Sequence, residues 1–475
     1  MHRAAESERG PAPDWQAPAA TGPVRARLRP PGSKSVTNRA LVLAALAGGP
    51  TVITSPLRAR DTLLMAAALR ALGSAIEDAG AGSGPEGGNG EPAAWRVTPG
   101  RLIGGGWGGR PPGPAPSGAA VVDVGNAGTV LRFVPPAAAL ADADVEFRGD
   151  DRAAARPVGP LLAALRELGA LIEDGGRGAV PFTVRGRGRI SGGTVTLDAS
   201  GSSQLVSGLL LSAPRYDKGV EVRHEGRRVP SAPHIAMTVQ MLRDAGAEVE
   251  VGTRHRGGPG ARASVPDLWH VHPGVLRPAA VGVEPDLSNA APFLAAALVT
   301  GGSVTIAGWP ERTSQPAGQI LDLVTRMGAS CSPTVGGMQV TGAGTIHGIA
   351  ADLGDVPELV PVLAALAALA DSPSAFTGIG HMRGHESDRL AALAGEIGAL
   401  GGDVTERENG LEIRPRPLRG EGVLFSSHDD HRMVMAAAVL GLALPGGLRV
   451  GNAATVGKTF PDFTKRWSAM LERSP

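Results

Sequence analysis

Residues 69–77 read LRALGSAIE, and residues 165–173 read LRELGALIE. Variants of this segment occur at three further places: LRDAGAEVE from Leu242, VTRMGASCS from Val324 and GEIGALGGDV from Gly395. Each variant ends a helical stretch and leads into residues that favour a strand. A segment that recurs in this way indicates an architecture built by duplication.

The repeat extends upstream of this segment. Each copy contains a short strand, a small polar tip, an Ala/Leu-rich helix, a second strand and a second helix. The tips read SKSVTNR from Ser33, NAGTVLR from Asn126, SSQLVSG from Ser202, LSNAAPF from Leu287, VPELVPV from Val356 and DDHRMVM from Asp429. The second strands read TVIT from Thr51, VEFRG from Val145, VEVRH from Val220, VTIAG from Val304, AFTGI from Ala375 and LRVGN from Leu448. These copies predict an α/β chain, most simply two domains of three units each.

Composition narrows the classes of function. The formal net charge is +1, so nucleic-acid binding has no electrostatic support. A single cysteine, Cys331, excludes an internal disulfide and a Cys-rich metal site, and it fits a reducing compartment. The apolar runs are shorter than the roughly 18 to 20 residues that span a membrane. We therefore expect a cytoplasmic protein with neither nucleic-acid nor membrane partners.

Two stretches are predicted to lie outside the regular fold. Residues 1–22 are polar and rich in Pro and Ala, without the apolar core of a signal peptide, which predicts a disordered tail. Residues 80–118 form a Gly/Pro-rich insertion, which predicts a flexible surface loop. For the tryptophans of this insertion, Trp95 and Trp107, packing on the domain is favoured over contact with a partner.

The polar tips suit helix N-termini, where backbone N–H groups and the helix dipole favour anions. The first tip places Lys34 between Ser33 and Ser35, with Arg39 further along the helix. It is not a phosphate-binding Walker A loop, because Ser33 stands where that motif needs Gly. Burial beside other cations can bring the pKa of a lysine toward neutrality. Lys34 is therefore a candidate both for anion binding and for proton transfer.

The remaining tips add cations, neutral donors and acids. They contribute Gly128, Thr129, Arg132, Arg152, Arg156, Ser202, Ser203, Gln204, Glu358, His381, Arg383, His385, Glu386, Arg389, Asp429, Asp430, His431, Arg432 and Lys458. Cations at most tips, with acids at two of them, predict a cleft for a polyanion that has general acid and base groups inside it.

A metal site is not expected at these tips. Adjacent residues of HDDHRM, from His428, cannot all point at one ion. His381 and His385 have helical spacing, but Gly384 weakens a helix between them.

Six motifs in order give the sequence its resemblance to a known family. PGSKSVTNR, GNAGTVLR, SSQ, HESDRL, DDHRM and KTFPDF together closely resemble the 5-enolpyruvylshikimate-3-phosphate synthase (3-phosphoshikimate 1-carboxyvinyltransferase) family, over about Val24 to Phe463 without the insertion. The resemblance implies a two-domain inside-out α/β barrel of six βαβαββ units. It implies one domain over residues 33–283 and another over 23–32 plus 284–475, and a hinge motion that closes them.

The resemblance also implies a reaction: transfer of the enolpyruvyl group of phosphoenolpyruvate to the 5-hydroxyl of shikimate 3-phosphate, with release of phosphate, on the pathway to chorismate and aromatic amino acids. The residues it assigns to shikimate 3-phosphate are Lys34, Ser35, Arg39, Ser202, Ser203, Ser231, Glu358 and His385. Those it assigns to phosphoenolpyruvate are Lys34, Asn126, Gly128, Arg152, Gln204, Arg389, Arg432 and Lys458. Glu358 accepts the hydroxyl proton, and Glu386 with Lys34 protonates the methylene carbon. No cofactor or metal is implied, and we expect a monomer.

Three positions depart from the common family pattern, and at one of them Phe133 stands where many members have Pro. Glu358 stands where many members have Asp, and His385 stands where many have Lys; a histidine is only partly charged near neutral pH. Gly128, rather than Ala, implies sensitivity to glyphosate, which occupies the phosphoenolpyruvate pocket in the family.

Three alternatives remain. The first is the sister transferase acting on UDP-N-acetylglucosamine, which has an Asn after the lysine where Ser35 stands. The second is a silent binder of phosphorylated metabolites, for which Glu358 and Glu386 would have no use. The third is a specialised copy that acts on a modified shikimate, which would keep the same motifs.

Overall fold

The computed structural model describes residues 14–80, 94–100, 119–156, 158–253 and 266–472. The chain divides into two compact units. The middle unit comprises Gly32–Glu284, and the flanking unit combines Met1–Pro31 with Pro285–Pro475. Each unit has its own apolar core.

The strands of the described residues form six small sheets, three in each unit. The strands of the middle unit are β3 Thr51–Thr54, β4 Ala75–Asp78, β5 Ala94–Thr98, β6 Ala120–Asp123, β7 Asp144–Arg148, β8 Leu171–Glu173, β9 Phe182–Arg185, β10 Gly193–Leu197, β11 Val220–His224, β12 Val249–Gly252, β13 Leu268–Val271 and β14 Val281–Gly282. Those of the flanking unit are β1 Trp15–Ala17, β2 Arg25–Leu28, β15 Ser303–Ala307, β16 Ala329–Thr334, β17 Gly337–Gly342, β18 Ala350–Asp352, β19 Ser374–Thr377, β20 Asp403–Arg407, β21 Gly410–Arg414, β22 Leu424–Ser426 and β23 Leu448–Gly451.

One pairing pattern recurs in the sheets. In the order β6-β7-β9-β8 the first pair is parallel and the next two pairs are antiparallel. The sheets β14-β3-β5-β4, β10-β11-β13-β12, β2-β15-β17-β16 and β18-β19-β21-β20 repeat it. A parallel pair needs a crossover connection, and a helix supplies it for β6–β7, β10–β11 and β18–β19. In the pairs β14–β3 and β2–β15 the two strands are distant in sequence, because β2 leads through α1 to β3, whereas β14 leads through the next helix to β15. The predicted α/β class and its repeated unit are confirmed.

Two kinds of helix alternate along the chain. The first helix of each repeat is buried on nearly all sides: α1 Lys34–Leu46, α3 Gly128–Ala138, α6 Ser203–Ser212, α8 Leu287–Thr300, α10 Val360–Ala368 and α12 His431–Ala443. The others are α2 Arg60–Ala71, the short α4 Asp151–Ala154, α5 Gly159–Glu167, α7 Ala232–Asp244, α9 Ala317–Arg326, α11 Arg389–Ala399 and α13 Phe463–Glu472. A helix that is apolar all round must lie inside a core, so the first helices form the interior of each unit. Among the described residues, no helix has the length and apolar character of a membrane span.

The prediction of a disordered tail over residues 1–22 is wrong for its described part. β1 pairs antiparallel with β23, in the place that a third strand takes in the other sheets. Ala17 is fully buried, and the Trp15 ring lies 6.2 Å from that of Phe463, edge to face. The polar composition of the segment concealed a three-residue strand with one apolar face. Residues 1–13 lie outside the described residues.

The prediction of a loop over residues 80–118 is also wrong in its middle. β5 lies between β3 and β4 and pairs with both of them. Trp95 on β5 is 2% exposed, and the Arg58 guanidinium lies 4.8 Å from its ring centre. The Gly-rich sequence on both sides of β5 hid its strand pattern, although β5 is a central strand of this sheet. Packing was thus the right expectation for Trp95, whereas Trp107 lies outside the described residues.

Candidate active site

Short polar side chains cap the N-terminal ends of several helices. In the middle unit, Ser33 Oγ accepts from Val36 N at the start of α1, and Ser202 Oγ accepts from Gln204 N at the start of α6. In the flanking unit, Asp286, Asp388 and Asp430 do the same for α8, α11 and α12. Short polar side chains stabilise the free N–H groups of a first turn, which is why these sequences begin helices.

Side-chain hydrogen bonds connect the helices of the middle unit to one another. Asn38 Nδ2 on α1 donates to Thr129 Oγ1 on α3 at 2.7 Å. Thr238 Oγ1 on α7 lies 2.9 Å from Ser207 Oγ on α6. The first of these bonds places the N-terminal part of α1 beside the first turn of α3, and the positive ends of two helix dipoles favour an anion there.

Arg39 joins three of these helices. It is 1% exposed, and its guanidinium donates to Thr238 Oγ1 at 2.8 Å and the His234 carbonyl at 3.0 Å on α7, to Ser207 Oγ at 3.4 Å on α6 and to the Ser35 carbonyl at 3.0 Å on α1. It also lies 5.2 Å from the centre of the Phe133 ring. Arg39 thus holds the helix ends in register besides supplying positive charge.

Lys34 lies in the first turn of α1 and contacts an acid that the sequence analysis did not identify. Its Nζ donates to Asp61 Oδ2 at 3.1 Å. Asp61 belongs to the first turn of α2 and its side chain is 4% exposed, whereas that of Lys34 is 20% exposed. Asp61 Oδ1 has no hydrogen-bond partner among the described residues. No motif marks Asp61, because its contact with Lys34 forms only when α1 and α2 pack.

A second cationic group surrounds the start of α3. Arg132 Nη1 lies 3.3 Å from the Gly128 carbonyl, and Arg156 Nη1 lies 3.1 Å from the Asn126 carbonyl. Burial, together with the charge of Arg156, lowers the pKa of Arg132 to about 9. A Cβ added at Gly128 would meet Arg156 Nη2 at 2.7 Å, so only glycine leaves both guanidinium groups in place. Two cations held this close favour an anionic ligand between or beside them.

The other assigned residues of the middle unit lie at the same kind of position. Arg152 is in the short helix α4, Ser203 and Gln204 open α6, and Ser231 precedes α7 with a left-handed backbone (φ 53°). Asn126 Oδ1 and Gln204 Oε1 are buried and have no hydrogen-bond partner among the residues that the structure describes. Buried polar atoms of this kind are costly unless a ligand or water satisfies them.

A buried ion pair organises the flanking unit. Arg389 at the start of α11 donates to Asp430 through Nε at 2.7 Å and Nη2 at 3.1 Å. Burial by itself lowers the pKa of Arg389 and raises the pKa of Asp430. The attraction between the two charges outweighs the effect of burial, so the pKa of Arg389 is raised and that of Asp430 is lowered. Both groups therefore stay charged.

One carboxylate oxygen of Glu386 is bonded by both a lysine and a histidine. Lys458 Nζ lies 3.1 Å from Glu386 Oε2, and His431 Nδ1 lies 3.0 Å from the same atom. The Lys458 and His431 side chains are each 3% exposed, and that of Glu386 is 9% exposed. A buried carboxylate between a lysine and a histidine has two neighbours with which it can exchange a proton.

Arg432 extends this group toward α8. Its guanidinium donates to Ser288 Oγ at 2.7 Å and to the Ser288 carbonyl at 2.9 Å. Burial lowers the pKa of Arg432, and the charge of Asp286 offsets only part of this effect. The N-terminal turns of α8, α11 and α12 are thereby joined, as those of the middle unit are.

Glu358 and two histidines complete the set. Glu358 lies in the 3-10 turn Pro357–Leu359 before α10, and its charge acts on His381, Arg389 and Arg432. Burial lowers the pKa of His381, although Glu358 opposes the shift. His385 Nδ1 lies 3.1 Å from Arg389 Nη1. The structure thus brings Glu358, Arg389 and Arg432 into one cluster with His381 and His385, whereas the predicted Arg383 bonds Asp388 and Glu406 instead.

Glu386, Asp430 and His431 also present potential metal-ligand atoms within 4.8 Å of one another. Adjacent residues therefore do approach one point, contrary to the sequence argument. The Glu386 and Asp430 carboxylates, however, are already bonded by Lys458 and Arg389. The positive charges of these two side chains occupy the region that a metal ion would need.

Comparison with known proteins assigns the family. The family model described as EPSP synthase (3-phosphoshikimate 1-carboxyvinyltransferase) matches residues 18–86 and 109–467. The chain belongs to the EPSP synthase family. The gap in the match, 87–108, falls within the Gly/Pro-rich insertion. The chain is therefore a transferase of the shikimate pathway, which moves the enolpyruvyl group of phosphoenolpyruvate to shikimate 3-phosphate.

Solved structures agree with the EPSP synthase fold. Two structures of EPSP synthase from Acinetobacter baumannii align with TM-scores of 0.73 and 0.72, each at 24% identity. The first alignment covers 97% of both chains, and the second covers 95% of this chain and 97% of the other. The enolpyruvyl transferase NikO from Streptomyces tendae aligns with a TM-score of 0.69 at 18% identity, over 95% of this chain and 96% of that chain. The predicted two-domain inside-out α/β architecture is confirmed.

Proposed function

We propose that the enolpyruvyl transfer uses Glu358 as base, Glu386 and Lys34 as acids, and the two clusters of helix N-termini as holders of the anionic substrates. The observation that carries this proposal is the carboxylate of Glu386, buried and bonded by both Lys458 and His431. A carboxyl group in such surroundings can give up a proton and take it back. Lys34 is the titratable cation of the other cluster.

Shikimate 3-phosphate is assigned to Lys34, Ser35, Arg39, Ser202, Ser203, Ser231, Glu358 and His385. The helix N-termini and the Ser202 and Ser203 groups favour its phosphate. The ordered position of Arg39, with hydrogen bonds to three helices, supports a preformed site. Serine hydroxyls both donate and accept, so they also suit the sugar-like hydroxyls of the substrate.

Phosphoenolpyruvate is assigned to Lys34, Asn126, Gly128, Arg152, Gln204, Arg389, Arg432 and Lys458. The cations of this set balance the phosphate and carboxylate of the substrate. The buried Asn126 side chain supports the assignment, because its amide can donate to an anion.

The reaction then follows in two steps. Glu358 takes the 5-hydroxyl proton while that oxygen bonds to C2 of phosphoenolpyruvate, and Glu386 with Lys34 delivers a proton to C3. The product of this step is a tetrahedral intermediate with a methyl group. The same acids then take a proton back from the methyl group as the C2–O bond to phosphate breaks, which forms the enolpyruvyl ether and inorganic phosphate. The charges of Arg389 and Arg432 stabilise the anionic groups throughout.

Phosphate release from purified protein tests this proposal. We expect release with phosphoenolpyruvate plus shikimate 3-phosphate, and none with UDP-N-acetylglucosamine or unphosphorylated shikimate as acceptor. Replacement of Glu358 by Ala is expected to reduce turnover by about 10²-fold or more, because a general base is lost. Full turnover in Glu358→Ala would refute the assignment of the base, and release with another acceptor would refute that of the substrate.

We further propose a cytoplasmic monomer whose functional domains are residues 33–283 and 23–32 plus 284–475. The phosphorylated substrates and the unpaired Cys331 support the location. The division of the chain after Pro31 and after Glu284 supports the domain bounds. Among the described residues, the exposed large apolar side chains, such as Leu63, Val251 and Leu424, are separated from one another in sequence, which supports the monomer.

A further inference from the structure

Two histidines and a glutamate lie together on the outer face of the sheet β10-β11-β13-β12, in the middle unit. Trp269 and Val271 on β13 are buried, so the alternate residue His270 and the following His272 face outward. Glu250 on the neighbouring strand β12 stands opposite His270. The active-site assignments involve none of these residues.

The side chains of this group converge. His272 Nε2 lies 2.9 Å from Glu250 Oε1, and the two imidazole rings are 4.0 Å apart between centres. One ligand atom from each residue can be chosen so that all three lie within 4.8 Å of one another. Around a tetrahedral zinc ion with bonds of ~2.1 Å, ligand atoms lie about 3.4 Å apart, so small rotations of half-exposed side chains suffice.

The surroundings favour a cation. Glu221 stands opposite His270 on the other neighbouring strand, β11, where Arg223 Nη2 bonds its carboxylate at 2.6 Å, and the Glu248 carbonyl accepts from His272 N. No arginine or lysine is bonded to Glu250 among the described residues, in contrast to Glu386 and Asp430.

We propose that His270, His272 and Glu250 bind a divalent transition-metal ion of the zinc type. Two imidazoles and one carboxylate are ligands that zinc, cobalt and nickel accept, and water can take the remaining position. On binding, the ion takes the place of the proton in the hydrogen bond between His272 and Glu250. The ion cross-links β12 to β13 in addition to their backbone hydrogen bonds, and so stabilises the edge of the sheet.

Titration of the full-length protein with Co²⁺ tests the proposal, since tetrahedral cobalt absorbs visible light. We expect one equivalent of Co²⁺ to give this absorption, and one equivalent of Zn²⁺ to abolish it. The double variant His270→Gln/His272→Gln is expected to bind about 100-fold more weakly, because two of three ligands are lost. Glu250→Gln is expected to weaken binding by about tenfold, since the amide is a poorer ligand.

His347→Gln is the matched control, because His347 is a half-exposed histidine bonded to a single acid, Asp371. We expect this variant to bind like the wild type. Far-ultraviolet circular dichroism of each variant checks that the sheet is intact. Lack of saturable binding by the wild type, or equal binding by the folded double variant, would overturn the proposal.

Discussion

At the scale of single residues, Lys34 poses the sharpest question, because arginine supplies nearly all other cations. The lysines of the chain are Lys34, Lys218, Lys458 and Lys465. Two of these four lie in the clusters, each beside a carboxylate. An ammonium is a compact charge that can lose its proton, whereas a guanidinium stays charged and needs a planar partner. Lysine at these positions is thus consistent with proton transfer.

Replacement of Lys34 by Arg tests this reasoning. The larger group retains charge but cannot exchange a proton at neutral pH, so we expect kcat to fall by about 10²-fold or more. Steady-state kinetics with both substrates measures the effect. Lys465→Arg, at an exposed position, is the control and should leave kcat unchanged. Near-normal turnover in Lys34→Arg would show that charge alone is required.

Individual residues differ in how well sequence predicts them. Lys34, Glu386 and Arg389 stand in local motifs, so they could be found without coordinates. Asp61 could not, because nothing near it in sequence signals its contact with Lys34. The bonding of Arg39 to α7 depends equally on tertiary packing. Motifs identify which groups are present, whereas their pairing follows only from how the helices pack.

At the scale of elements, the pair Arg389–Asp430 connects the starts of α11 and α12. Both side chains are almost fully buried, at 5% and 0% exposure. Removal of one partner from a buried pair leaves an uncompensated charge, which costs about 3–5 kcal/mol. Asn retains the ability to cap a helix, so Asp430→Asn removes mainly the charge.

We expect Asp430→Asn to lower the free energy of unfolding by about 3 kcal/mol at pH 7. Because the pKa of Asp430 is lowered on folding, its stabilisation is complete above the unfolded pKa of about 4 and is lost as pH falls through the folded pKa. The gap between wild type and variant should therefore narrow only below pH ~4. Urea denaturation across this pH range measures it.

The same substitution at a surface pair provides the comparison. Asp403 bonds Arg416, whose side chain is 63% exposed. Asp403→Asn should cost less than about 1 kcal/mol, since exposed ion pairs contribute little. Equal losses in the two variants would mean that burial of Arg389–Asp430 has no energetic consequence.

Elements were predictable where the local signal was strong. The polar tips and Ala/Leu-rich helices gave the six first helices, since capping residues and apolar runs are visible in sequence. β1 and β5 were missed, because three and five residues between stretches rich in Pro or Gly carry too little pattern. In both cases the sheet, rather than local preference, determines the strand.

At the scale of the whole molecule, β1 shows how the flanking unit is completed. Five sheets have four strands, and the sixth has the order β1-β23-β22. Among the described residues, the last repeat has α13 after β23, and no strand that follows β23 pairs with it. The chain supplies that strand from its beginning instead, and the Trp15 ring packs on Phe463 of α13.

Two neighbouring residues of β1 test this arrangement. Ala17 is fully buried, so Ala17→Glu places a charge in the core and should lower the free energy of unfolding by about 3 kcal/mol or more. Gln16 faces solvent on the same strand, so Gln16→Glu adds the same side chain at an expected cost below about 0.5 kcal/mol. Thermal and urea unfolding compare the two variants. If this segment were a disordered tail, both substitutions would be neutral, whereas a strand that completes the sheet makes only the inward-facing position sensitive.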